Sequence, residues 1–144
     1  MKQGLGVLVA FAMLLVGCAG PRPTDLGPRN GALAPCPDSP NCVSSAASDE
    51  LHRIAALGAG WQAARDAVAA MPRTVIVTER EGYLHAECTT PLMGYVDDLE
   101  LLQLADEGVI AVRSASRVGY GDMDANRTRV EALRSALAGT ASTD

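Results

Sequence analysis

The chain has 144 residues, with 12 basic and 17 acidic side chains and a formal net charge of −5. One domain fits that length, and an acidic balance without a basic run argues against a nucleic-acid binder. Aromatic residues make up only 3% of the chain, which excludes an extended stacking platform for sugars or bases.

A short basic start, Met1-Lys2, precedes an apolar run from Leu5 to Val16. That run suits the hydrophobic segment of a signal peptide and falls short of the roughly 20 residues that span a bilayer. Leu15-Val16-Gly17-Cys18 resembles the lipobox of bacterial lipoproteins. The resemblance implies cleavage before Cys18, diacylglycerol on its thiol and acylation of its new amino group. Several acyl chains on one residue anchor stably where a single chain does not. Residues 1–17 are therefore expected to be a signal peptide, and the mature chain to begin at the lipidated Cys18. It would lose Lys2, the only lysine, leaving 11 arginines against 17 acids and a charge of −6. The expected place is a membrane surface facing the periplasm. Ala19 and Gly20 lack the aspartate that retains lipoproteins at the inner membrane of enteric bacteria, so the outer membrane is favoured in a Gram-negative host.

Residues 18–34 are rich in proline and glycine and carry no pattern that would bury a face. They are expected to form a flexible tether holding the domain up to about 50 Å from the lipid. Cys36 and Cys42 then flank a turn containing Pro37 and Pro40. Outside the cytoplasm such a pair reads as a disulfide; the rival reading, metal binding, lacks a second ligand pair. Cys88 is left over as a buried free thiol.

A single domain is expected over residues 35–139, with a disordered tail at 140–144. Residues 51–57 read as either a helical turn or a short extended segment, with the extended form favoured. Trp61, Ala64, Val68 and Met71 fall on one stripe of an amphipathic helix, which Pro72 ends. Four strands follow. Thr74 to Arg80 is rich in β-branched residues, and Glu81-Gly82 makes a hairpin turn. Tyr83 to Thr90 alternates Leu84, Ala86 and Cys88 against His85, Glu87 and Thr89. Tyr95 to Leu104 and Val109 to Val118 follow, joined by Ala105-Asp106-Glu107-Gly108. Short connections favour an antiparallel meander. A last helix, capped by Asp122 or Asp124, buries Val130, Leu133 and Leu137 and pairs Arg127 with Glu131 on its exposed side. The fold class is thus α+β, two-layer, a four-stranded antiparallel meander with two helices packed on one face.

Arg113 and Arg117 are four residues apart on a strand and share a face; Asp98 and Glu100 share a face of the strand before it. These acids and arginines are expected to meet on the side of the sheet that no helix covers. They form either a structural ion-pair lattice or a surface where guanidinium groups capture a carboxylate or phosphate. Enzyme motifs are missing: there is no Gly-x-Ser-x-Gly, no His-Glu-x-x-His and no glycine-rich phosphate loop. With only His52 and His85, a histidine-based metal site is not expected, and no cofactor is implied.

CPDSPNCVSS, YVDDLE and VRSASRVGYGDMDANRTRVEALR, in that order, resemble the bacterial family known as domain of unknown function 1499. The resemblance covers residues 33–138 and implies a short exported or membrane-attached protein, often a lipoprotein. It points to Asp97, Asp98, Glu100, Arg113, Ser114, Ser116, Arg117, Asn126 and Arg127 as the binding site. At Asp124 the family motif usually has glycine, which implies a less tight turn here. At Cys88 members more often carry an aromatic or aliphatic residue, in keeping with core filler. The expected function is a non-catalytic binding or accessory module of the cell envelope, held by lipid at Cys18, that engages an envelope protein or an anionic small ligand. The alternative is a small envelope enzyme of hydrolase type using the same cluster.

Overall fold

The structure is a computed structural model that describes residues 19–140. The expected signal peptide, the lipidation site Cys18 and most of the expected tail, 141–144, lie outside the described residues. Seven elements follow in order: β1 (Cys42–Ser44), α1 (Trp61–Ala70), β2 (Thr74–Arg80), β3 (Tyr83–Thr89), β4 (Val96–Leu104), β5 (Val109–Ser116) and α2 (Ala125–Thr140). The fold is α+β, and the sheet has five strands rather than the four expected. Its order is β1-β5-β4-β3-β2, antiparallel throughout. The meander stands as read; β1 is an added edge strand of three residues, too short for alternation to reveal.

Both helices cover one face. Leu84, Ala86 and Cys88 of β3, Leu99 and Leu101 of β4, and Ile110 and Val112 of β5 meet Ala64 and Val68 of α1 and Val130, Leu133 and Leu137 of α2. Each large aliphatic side chain removed from water there contributes about 1.5–3 kcal/mol. Trp61 and Met71 flank this core partly buried, as their place on the helical stripe requires. Cys88 is a buried free thiol, and Cys36 is bonded to Cys42.

The expectation of a free tether does not hold for the described part of that stretch. Residues 20–35 lie across the sheet face opposite the helices. Leu33 is buried against Tyr83 and Leu102 in a second, smaller apolar cluster. The backbone N–H of Gly27 donates to the Glu100 carboxylate at 2.8 Å, and Arg22 donates to Glu87 at 2.6 Å. Gly27 has φ +94°, a conformation that side chains bearing Cβ rarely adopt, so the backbone favours glycine there. Asn30 and Gly31 both adopt positive φ between the paired residues Arg29 and Ala32, a tight reversal of the kind that Asn-Gly favours. Because this strap covers the second face, β4 is buried on both sides from Val96 to Leu102.

Residues 51–57 are non-helical, as expected, and touch the sheet edge through bridges Ser44–Arg53 and Leu57–Ile110. Asp122 caps α2 by accepting from the backbone N–H of Asn126 at 2.9 Å. The expected Arg127–Glu131 pair does not form: Glu131 accepts from Arg134 at 3.0 Å, and Arg127 reaches elsewhere.

Candidate functional site

The residues singled out by sequence divide between the two faces of the sheet. Alternation along β4 sends Asp98 and Glu100 to the strap side and Asp97 to the helix side.

On the strap side, register places Glu100 opposite Arg113 and His85, and Glu87 opposite Asp98. Arg117 donates twice to Asp98, from Nε at 2.8 Å and Nη2 at 2.7 Å, and once to Glu87 at 2.6 Å. His85 Nε2 lies 2.7 Å from the same Asp98 carboxylate. Asp98 is 1% exposed and Glu100 0%. Burial pushes the Asp98 carboxyl up, but hydrogen bonds from Arg117 and His85 outweigh it and leave the carboxyl below its ordinary range. Glu87 behaves likewise, with Arg117 and Arg22 overcoming burial. The bonds to Asp98 and Glu87 in turn hold Arg117 firmly charged, against the opposing effect of burial.

Glu100 accepts from the Gly27 N–H and the Tyr83 hydroxyl, each at 2.8 Å. Burial, then the adjacent Glu100 charge and its hydrogen bond, drive the Tyr83 phenol well above its usual value. Arg113 is held less closely, 3.4 Å from Glu100 and 3.5 Å from the Pro35 carbonyl, and its buried Nε has no partner among the described residues. The expected open charged face is therefore closed. Its groups bind one another and the strap, because a carboxylate moved out of water needs donors at once.

On the helix side Asp97, Ser114, Ser116 and Asn126 meet around Arg129, an arginine of the same charged stretch that is not among the expected site residues. Arg129 donates to Asp97, to Ser114 Oγ at 3.0 Å and to Asn126 Oδ1 at 2.7 Å. Asn126 accepts at Oδ1 from Ser114 at 2.7 Å, and its Nδ2 faces Asp122, Ser116 and the Asn41 carbonyl. One buried amide thus ties α2 to β5, to the segment before β1 and to the loop preceding the helix. Arg129 lies one turn after Asn126 on the buried side of α2, and that spacing was the available signal. Arg127 joins neither cluster; it donates to the carbonyls of Arg53 and Leu51, each at 2.9 Å.

A wide concavity lies elsewhere again. An open groove of about 1020 Å³ runs between α1 and α2 over the end of the sheet where β3 finishes. Ala63, Ala67 and Ala70 line one wall and Ala132 and Ala136 the other; small side chains leave the helices with space between them. Met71, Met123 and Pro91 also line it, and Cys88 and Thr74 lie at the sheet. Burial raises the Cys88 thiol, so it is a poor nucleophile there. Arg129 also lines the groove, with Nη1 and Nη2 turned to Ser114, Asn126 and Asp97. No group of three or more His, Cys, Asp or Glu that could hold a metal occurs among the described residues.

Residues 32–137 match the model of a family described as "Protein of unknown function (DUF1499)". No curated protein and no solved structure matches the chain.

Proposed function

We propose that this chain, which belongs to the DUF1499 family of proteins of unknown function, is a lipid-anchored cell-envelope module that binds an apolar chain. The groove between α1 and α2 is its site. The carrying observation is the pairing of that alanine-walled groove with polar clusters whose charged groups are turned on one another. Binding sites are typically apolar concavities of this size, whereas an anion receptor needs guanidinium donors that are both free and open to solvent, and the unpartnered Arg113 Nε is buried. The anchoring half of the reading rests on the lipobox-like Leu15-Val16-Gly17-Cys18. The hydrolase alternative has less support: His85 and Asp98 are buried beneath the strap, and a substrate would have to displace it.

Two measurements test the two halves. Labelled palmitate should enter the wild type and be lost in Cys18→Ser; an unlabelled wild type ends the anchoring reading. A fluorescent long-chain fatty acid should bind saturably to the full chain. Ala132→Phe with Ala136→Phe should weaken it about tenfold or more, worth about 1.4 kcal/mol. Absence of saturable binding by the wild type ends the groove reading.

A further inference from the structure

The described residues carry eight large hydrophobic side chains exposed to solvent, and five stand on two loops. Leu92, Met93 and Tyr95 belong to the β3–β4 loop; Tyr120 and Met123 belong to the connection from β5 to α2. Leu92 is 91% exposed, Tyr120 76% and Met123 100%. Sheet register puts both loops at one end of the domain. Thr89 pairs with Val96 and Asp97 with Ser116, so 90–95 and 117–124 leave the sheet side by side. Met123 and Pro91 both line the groove, which therefore reaches this end. Soluble surfaces rarely gather so many apolar side chains without a partner, and tyrosine beside aliphatic residues suits a headgroup boundary.

The strap begins at the same end. Gly20 sits so tightly on β5's continuation that a Cβ would stand 2.7 Å from Val118 Cγ1 and 3.0 Å from Arg117 Cβ. Cys18 is two residues before it, and two residues span at most about 7 Å. A lipidated Cys18 would therefore hold this end at the bilayer rather than far above it.

We propose that the end bearing Leu92, Met93, Tyr95, Tyr120 and Met123 is a membrane-seating surface. It lies on the bilayer that receives the Cys18 acyl chains and brings the groove to the lipid, so the apolar chain taken there is a lipid acyl chain. The inference rests on the anchoring reading for its orientation, but the apolar loops stand without it. Attachment is apolar rather than electrostatic: the chain is net negative, and at this end exposed Arg73 is offset by exposed Asp124.

The test uses the full lipidated chain in zwitterionic phospholipid vesicles with brominated acyl chains. Trp61, the only tryptophan, stands at the opposite end beside the β4–β5 turn, where it lines a shallow recess with Gln103 and Gly108. It is a built-in control. Paired variants Trp61→Phe with Leu92→Trp, and Trp61→Phe with Met123→Trp, move the reporter to the proposed surface. Their fluorescence should fall about twofold or more in brominated vesicles, as for a ring at the headgroup level, and stay quenched in high salt. Trp61 itself should not respond. No quenching at positions 92 and 123, or equal quenching at Trp61, overturns the proposal. So does photo-crosslinking from position 92 to a second copy or an envelope protein instead of lipid. If palmitate labelling fails, the anchor is wrong but the surface is still judged: unanchored protein added to the same vesicles should show quenching at 92 and 123, and none overturns the surface too.

Discussion

Arg117 grips Asp98 through two parallel N–H donors, 2.8 and 2.7 Å long, with the carboxylate 1% exposed. Arg117 directly follows β5 and Asp98 lies in β4, and the same guanidinium carries Glu87 of β3. One cation thus spans three strands beneath the strap. Such a pair adds little net stability over well-packed apolar residues, yet removing one partner leaves the other charged in a site without water.

Arg117→Ala is therefore expected to destabilise the fold by about 3–5 kcal/mol. Arg113→Ala should cost clearly less. Its contacts are 3.4 and 3.5 Å long, and Glu100 keeps the Gly27 N–H and the Tyr83 hydroxyl after the change. Chemical denaturation of both variants reads the difference. Equal losses, or a larger one at Arg113, would contradict the division of roles drawn here.

Acid should weaken the strap side first. Asp98 and Glu87 both have folded pKa values below their ordinary ones. A carboxyl lowered in this way contributes stability above its unfolded value, about 3.9 for Asp and 4.3 for Glu, and loses it as pH falls through the folded value. The Tm is expected to be level from about pH 7 to pH 5 and to fall below about pH 4. Arg117→Ala should flatten that fall, since it removes the donor that lowers both groups. A wild-type Tm unchanged down to about pH 3 would count against this linkage.

Asp124 adopts φ +62° in the turn before α2, next to Met123 at φ +51°. A left-handed conformation costs a residue bearing Cβ what glycine does not lose. Asp124 is exposed, and its contacts to Asp122 and Thr128 use its backbone alone. Asp124→Gly is expected to stabilise the protein by up to about 1 kcal/mol, read as a rise in Tm. A fall in Tm would show that its side chain contributes more than the strained backbone loses.

Asn126→Ala removes an amide that serves both as acceptor for Ser114 and Arg129 and as donor to Asp122, Ser116 and Asn41. Several buried polar groups lose partners at once, so a loss of roughly 2–4 kcal/mol is expected in thermal or denaturant unfolding. Arg127→Ala, which frees only two surface carbonyls, should cost under about 1 kcal/mol and serves as the comparison.

Sequence alone determined what depends on local pattern. The period of two in β3 and β5, the stripe Trp61, Ala64, Val68, Met71 and the turns at Gly82 and Gly108 identified the meander and both helices, because burial of one face imposes those spacings. Alternation also predicted that Asp98 and Glu100 would meet Arg113 and Arg117: the register sets Glu100 opposite Arg113, and Arg117 bonds Asp98. Tertiary structure decided the rest. Sorting Asp97 from Asp98 onto opposite faces was implicit in alternation, but the partner Arg129 arrives from a helix whose docking no local pattern specifies. The segment 20–35 reads as a linker by its proline and glycine content. Its Asn30-Gly31 turn and its buried side chain, Leu33, acquire meaning only when Tyr83 and Leu102 lie beneath them. Likewise β1 exists because β5 offers it an edge: three residues cannot form a strand by their own propensity, and their hydrogen bonds come from a partner about 70 residues away.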